Sequence, residues 1–333
     1  MRYSFVVPIY RDAALAADFC VSFDAAFRTH LGVGDISGDV ELIFVNDDGS
    51  PETTIELIEA CDRFPFAKMI ELNRNFGQHI ALSSGYRHAS GELVGMLNVD
   101  QEDPPSEIPK LIDALETSDA EMAISLRRGG HVSRGRRTTS RVFNWVLNKA
   151  TGYDVPLNVG TLRLMKRAAV DQLNDLPERS RFLPGLESWF GFRTIYVDTN
   201  QQPRQKGRSS YRPGRRLRMA FEAIISFSDL PLRFVVLLGM VVSAVGFALA
   251  AFLVISQLLF TDYQPGYPST VAAVVFVGGV QIATIGLASL YIGRILTEVQ
   301  RRPLYVVRRT YKLDPERDPG AMVGSRKERE AIS

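Results

Sequence analysis

Four apolar runs separated by helical patterns open the chain. Residues 3–9 (YSFVVPI) and 40–45 (VELIFV) read as β-strands, as do 68–72 and 93–99. Helical patterns cover residues 13–29, 51–64, 77–89 and 106–116. Strands that are continuously apolar and alternate with helices predict an α/β domain with a mostly parallel sheet. Polar residues gather where the strands end: Tyr10 and Asp12, Asn46 to Asp48, Asn73 to Asn75, and Asn98 to Asp103. Open α/β sheets bind ligands beyond the carboxyl ends of their strands, so these turns form the candidate site.

The pattern changes in the last third. Residues 234–261 are 28 positions without a formal charge, and 270–293 are another 24 after the turn-like YQPGYPS. About 20 apolar residues cross a bilayer core, so both runs predict transmembrane helices; a buried helix pair is the alternative. Arg212, Arg215, Arg216, Arg218 and Arg233 precede the first run, and Arg294, Arg301, Arg302, Arg308 and Arg309 follow the second. The connecting loop has no Lys or Arg, which places both ends in the cytoplasm. Leu217, Phe221, Ile224, Ile225 and Ser228 share one helical face, as in an amphipathic helix lying on anionic headgroups or in an ordinary docking helix. The expected organisation is a cytoplasmic domain over 1–211, a juxtamembrane helix over 212–233, a two-helix membrane hairpin over 234–293 and a cytoplasmic tail over 294–333.

Charge sharpens this division. The net charge of +2 hides a segment 1–120 of net −13 and a segment 121–233 of net +12. Disorder is excluded by 46% hydrophobic content at this net charge. Two cysteines, Cys20 and Cys61, make no disulfide framework and fit a reducing compartment; four scattered histidines argue against zinc. The opening MRYSFVVPIYRD is too short an apolar run for a signal peptide, so the expectation is a protein that is not secreted. No GxGxxG follows the first strand and no GxxxxGK[ST] occurs, which disfavours a dinucleotide fold and the common nucleotide hydrolases.

Asn98, Asp100 and Glu102 present oxygen ligands at alternate positions after a buried strand, with a second acidic turn at Asp47-Asp48. Such a set suits Mg²⁺ or Mn²⁺ held by a few carboxylates and a diphosphate. Of 39 basic residues 32 are Arg, the better bidentate phosphate ligand. Arg128, Arg134, Arg136 and Arg137 read as a basic loop near headgroups. His79 and His88 read as structural, and Trp145 and Trp189 as packing or interfacial residues.

Eight blocks in order carry a resemblance: VVPIYRD (6–12), NDDGS (46–50), NRNFGQ (73–78), NVDQEDPP (98–105), GTLRLMKR (160–167), RSRFLPGLESWFGF (179–192), RQKGRSSY (204–211) and SFSDLPLR (226–233). With the two apolar runs, the chain resembles family 2 glycosyltransferases with a GT-A fold, of the polyprenyl-phosphate type that includes dolichol-phosphate mannose synthase and GtrB. It departs from that pattern at Asn98-Val99-Asp100-Gln101-Glu102, where the family usually has Asp-x-Asp-x-Gln, at Arg11-Asp12, and at Ser209-Ser210-Tyr211.

The resemblance implies inverting transfer of a sugar from a nucleotide sugar to a polyprenyl phosphate at the inner membrane. Pro8, Tyr10, Asp12, Asn46, Asp47 and Asp48 would then line the nucleotide, with Mg²⁺ or Mn²⁺ at Asp100, Glu102 and Asn98, and the catalytic residues would be Asp100, Glu102, Asp103, Arg127 and Arg141. Arg127 and Arg141 match phosphate-holding positions, followed by Arg163, Arg181, Arg204 and Ser209. The partners implied are the donor, the lipid acceptor, the bilayer and a homo-oligomer, with nucleic acid excluded by the acidic first half. A polysaccharide synthase fragment is disfavoured by two spans and no Gln-x-x-Arg-Trp. The remaining alternative is a membrane scaffold that keeps the nucleotide fold without catalysis, motivated by Asn98.

Overall fold

The computed structural model describes residues 1–128, 159–179, 181–200 and 267–313, together with 235–242, 244–246, 248, 252 and 255. These fall into two compact units, one built on a sheet and one helical.

The sheet carries eight strands in the order β7-β5-β6-β4-β1-β2-β3-β8. β1 (Tyr3–Ile9) lies between β2 (Val40–Asn46) and β4 (Leu93–Met96), parallel to both, and β3 (Ala67–Leu72) continues the parallel set beyond β2. β5 (Met122–Arg128) and β7 (Thr194–Asn200) pair in parallel, and β6 (Val159–Lys166) joins the two sets, antiparallel to both β4 and β5. The result is the expected α/β fold with a mostly parallel sheet. β1 and β2 are buried almost throughout, which is why their sequences do not alternate.

Helices α1 (Ala16–Leu31), α2 (Pro51–Arg63), α3 (Gln78–His88) and α4 (Ile108–Glu116) follow their strands in turn. The single helix read over 13–29 is in fact a 3₁₀ turn, Ala13–Leu15, followed by α1, which ends where Gly32 takes φ +67°. α1 lays Phe19, Phe23 and Phe27 against Phe5 and Phe44, with ring centroids 5.5–6.5 Å apart. On the other face α3 sits so close to β1 that a Cβ at Gly85 would lie 2.2 Å from Val6 Cγ1. Among the described residues, α5 (Arg167–Asp175) and α6 (Leu183–Phe190) are the remaining helices of this unit.

Two boundaries differ from the sequence reading. The fourth strand pairs only to Met96; Leu97 still donates to Val6 O at 3.2 Å, and the chain then turns away. Val307–Tyr311, inside the segment expected to be a tail, forms β8 and pairs antiparallel with β3. Without it β3 would be an open edge.

A buried carboxylate ties the amino ends of the central strands together. Glu41 on β2 accepts from Ser4 Oγ (2.6 Å), Ser90 N (2.6 Å), Ser90 Oγ (2.7 Å) and Lys68 Nζ (2.5 Å). Burial alone would raise its pKa, but Lys68 and the two serines outweigh it and hold the carboxyl below its ordinary value.

The helical unit contains α7 (Tyr267–Val299) and a helical segment, Val235–Gly246. Phe276–Val299 has mean hydropathy 1.6, with none of it buried. Among the described residues it is the one helix long and apolar enough to cross a membrane. The first apolar run is described only in part, and 212–233 lies outside the described residues.

The Glu41 contacts generate a pH prediction. A carboxyl with a lowered folded-state pKa contributes stability above its unfolded pKa and loses it as pH falls through the folded value. Glu41→Gln should therefore cost roughly 1–3 kcal/mol at pH 7, and less at pH 4. Denaturant unfolding of the full chain in detergent at both pH values checks this; an equal loss at the two would contradict it.

Candidate active site

The parallel register brings the ends of β1, β2 and β4 to one edge of the sheet. Ile9 pairs with Asn46, and Asp47 N donates to Ile9 O at 3.0 Å. The Asn46–Ser50 turn then closes on itself. Asn46 Oδ1 accepts from Asp48 N (3.1 Å), Asn46 Nδ2 donates to Thr54 Oγ1 (3.0 Å), and Ser50 Oγ caps α2 through Thr53 N (3.3 Å).

The two aspartates of this turn have opposite roles. Asp47 is buried, and its two oxygens accept from Phe76 N (2.7 Å) and Gly77 N (2.8 Å). Gly77, at φ +94°, supplies the turn that opens α3. Burial raises the Asp47 pKa, and these two N–H bonds only partly offset it. Asp47 is thus turned onto the backbone of 73–77, away from the ligand role expected of it. Asp48 stays partly accessible: Oδ2 accepts from Ser50 Oγ (2.7 Å) and Thr53 Oγ1 (2.9 Å), and Oδ1 lies 3.8 Å from Arg11 Nε. Arg11, at φ +64°, lays its guanidinium 5.0 Å from the ring centroid of exposed Tyr10. Pro8 is the only half-buried residue of β1, and Asp12 precedes the 3₁₀ turn.

The second acidic turn repeats this division. Asp103 is buried and Oδ2 accepts from Thr161 Oγ1 (2.7 Å), Thr161 N (2.8 Å) and Arg127 Nη2 (3.0 Å). Burial would raise its pKa, but Arg127 and Thr161 more than compensate, and the carboxyl is held below its ordinary value. Gly160 makes this contact feasible, because a Cβ there would meet Ser125 Oγ at 2.0 Å. Outside Asp103, Asn98, Asp100 and Glu102 remain half-buried. Asp100 Oδ1 accepts from Glu102 N (3.3 Å) across Gln101, at φ +53°, and Gln78 Nε2 donates to Asn98 Oδ1 (3.3 Å). Arg127 Nη2 also reaches Glu102 Oε2 at 3.4 Å.

Asn98, Asp100 and Glu102 carry side-chain oxygens, the donor type that a hard divalent cation takes. Among the described residues no group of three or more His, Cys, Asp or Glu is assembled for a metal. Two carboxylates and an amide would leave positions for a diphosphate and water, as Mg²⁺ prefers.

The expected arginines separate. Arg127 reaches the acidic turn. Arg163 is buried in an ion pair with Glu187 of α6, and Arg181 donates to Leu173 O (2.7 Å) and Leu176 O (2.6 Å). Arg163 fastens the fold where a phosphate ligand was expected, since a guanidinium buried this deeply needs its partners within the protein, and half-buried Arg181 is bonded to main-chain carbonyls. Arg141, Arg204 and Ser209 lie outside the described residues, as do Arg134, Arg136, Arg137 and Trp145. Arg128 ends β5, and Trp189 is exposed on α6. Burial, with Arg163 nearby, lowers the pKa of His79 to about 4, so it is neutral near pH 7; its ring packs edge-on against Phe182. His88 Nδ1 lies 2.8 Å from Ser84 O within α3. Sequence reasoning missed Gln78 and Thr161 as holders of the acidic turn, although both fall inside the quoted blocks.

Strand-end carboxylates fixed from behind, with an arginine at their edge, lie where open α/β sheets bind their ligands, beyond the carboxyl ends of the strands. The family model for glycosyl transferase family 2 matches residues 4–173, and the chain belongs to that family. It is 34% identical over 319 residues to the SfII prophage-derived bactoprenol glucosyl transferase of Shigella flexneri, covering 95% of this chain and all of the relative. It is 32% identical over 312 residues to the undecaprenyl-phosphate 4-deoxy-4-formamido-L-arabinose transferase of Yersinia enterocolitica, covering 92% and 93%. A crystal structure of glucosyl-3-phosphoglycerate synthase from Mycobacterium tuberculosis matches with TM-score 0.49 and 19% identity, over 68% of this chain and 80% of that one. The protein is a glycosyltransferase with a GT-A-like α/β fold.

Asp103→Asn removes the charge that Arg127 and Thr161 share. Glycosyl transfer should fall roughly 10- to 100-fold, whereas Thr161→Val, which deletes one donor and leaves the others, should cost about tenfold or less. Initial rates at saturating donor check this ordering.

Proposed function

We propose that this glycosyltransferase moves a sugar from a nucleotide-sugar donor to the phosphate of a membrane polyprenol, with inversion at the anomeric carbon. The observation that carries the reading is the meeting of Arg127 with Glu102 and Asp103, which sets a cation at the edge of the acidic turn. The names of relatives aligned along nearly the whole chain support the acceptor class.

In this reading Tyr10, Asp12, Asn46 and Asp48 line the nucleotide, with carboxylates accepting from base or ribose. Asn98, Asp100 and Glu102 hold Mg²⁺ or Mn²⁺. When bound, the ion neutralises charge on the departing nucleoside diphosphate. The acceptor phosphate is already anionic near neutral pH, so it needs little general-base help. Arg127, with Arg141, Arg204 and Ser209, orients the acceptor, and positioning supplies most of the acceleration.

The bilayer has its place in the same reading. α7 has 33 residues, a length of about 50 Å, against a hydrocarbon core of about 30 Å. We assign it and the first apolar run to a membrane hairpin with both ends in the cytoplasm, led in by the basic juxtamembrane helix over 212–233.

Membranes carrying the protein, mixed with polyprenyl phosphate and a panel of labelled nucleotide sugars, test the function. Label should enter the organic phase with Mg²⁺ or Mn²⁺, and Asp100→Ala should abolish it. No transfer from any donor would sink the proposed transfer to polyprenyl phosphate. Arg141→Ala should weaken polyprenyl-phosphate use at least about tenfold more than nucleotide binding, as expected for loss of a charged hydrogen bond. Equal loss of both would contradict its role.

A further inference from the structure

β8 is joined to β3 by more than a ladder. Its register runs Met69 to Tyr311, Ile70 to Thr310 and Glu71 to Arg309, then skips to Leu72 and Val307. Arg308 is the extra residue of a β-bulge. Neighbouring strand residues normally face opposite sides of a sheet, and a bulge re-aims one of them. Here both arginines reach the same carboxylate: Arg309 Nε donates to Glu71 Oε2 (2.5 Å) and Arg308 Nη1 to Glu71 Oε1 (3.0 Å). Glu71 is 1% exposed, and each of its carboxylate oxygens is paired with one of these cations.

Arg308 does one thing that Arg309 does not. Its Nη2 donates to Asn73 O (3.0 Å), and its Nε lies 3.3 Å from Asn73 Oδ1, while Asn73 N donates to Val306 O at 2.9 Å. Asn73 is the first residue of the 73–77 loop. The far end of that loop gives Phe76 N–H and Gly77 N–H to Asp47, and the next residue, Gln78, holds Asn98. One guanidinium thus anchors the near end of the segment whose far end fixes both acidic turns.

We propose that Arg308 is a positioning residue for the nucleotide-diphosphate subsite, acting through Asn73 on the 73–77 loop. The stretch after the last membrane helix is then a working part of the donor site. The inference rests on the nucleotide-sugar reading of that site but is independent of the acceptor.

The test compares binding of nucleoside diphosphates (UDP and GDP, each with Mg²⁺ or Mn²⁺) to the full-length chain in detergent, by calorimetry, with the KM for donor and for polyprenyl phosphate beside it. Arg308→Ala should weaken nucleoside-diphosphate binding and raise donor KM about tenfold, with acceptor KM unchanged, as expected when the charged hydrogen bonds to Asn73 are lost. Arg309→Ala loosens the same strand on the same glutamate and should shift donor KM less than about twofold, which separates loop positioning from strand docking. Arg308→Lys keeps a cation for Glu71 but cannot span to Asn73, so it should weaken binding like Arg308→Ala even if the alanine variant fails to fold. Equal effects of Arg308→Ala and Arg309→Ala, or unchanged binding in Arg308→Lys, would overturn the inference. Diphosphate binding without any sugar transfer would sink the proposed function and leave this comparison intact. Absence of binding to the wild-type chain would overturn both.

Discussion

Buried carboxylates that accept hydrogen bonds from elsewhere in the chain set this site. Desolvating a carboxylate is expensive unless donors replace the lost water. Three buried acids recruit them from a segment distant in sequence: Asp47 from Phe76 and Gly77, Asp103 from Thr161 and Arg127, Glu71 from Arg308 and Arg309. The loops beyond the sheet are thereby held from the inside. The adjoining acids, Asp48 and Glu102, keep more of their surface, with side-chain exposures of 12% and 21% against 1% for Asp103. An acidic pair in this fold is one buried structural carboxylate and one that keeps part of its surface exposed.

That division explains what the sequence could and could not convey. Continuous apolar strands and the polar clusters after them identified the sheet and the edge that carries the site. Those signals are local, and burial of β1 and β2 on both faces makes them strong. Which member of Asp47-Asp48 faces inward depends on Gly77, thirty residues away, and no local pattern encodes it. Arg163 and Arg181 looked like phosphate ligands because an arginine reads the same whether its partner is a ligand, Glu187 or a main-chain carbonyl. β8 was hidden by its own chemistry. Arg308 and Arg309 resemble membrane-flanking charge, and only the buried Glu71 opposite them reveals a strand.

The near-neutral net charge is the sum of unlike parts. On the proposed function, the acidic first segment handles a diphosphate through a cation, and the basic second segment meets the acceptor phosphate. Asn98 in place of a carboxylate then has a structural context: Gln78 orients its oxygen, while Asp100 and Glu102 supply the charge. The site would retain two carboxylates, enough for an ion that also takes ligands from its substrate.

The central claim is that the outer acids bind and the inner acids hold. A titration of Mn²⁺ into the full-length chain with nucleoside diphosphate, followed by electron paramagnetic resonance, tests it most directly. Asp100→Asn should weaken Mn²⁺ binding by at least about tenfold while leaving the thermal unfolding midpoint within about 2 °C of wild type. Undiminished Mn²⁺ affinity in that variant, or a loss of affinity matched by a collapse of thermal stability, would contradict the account.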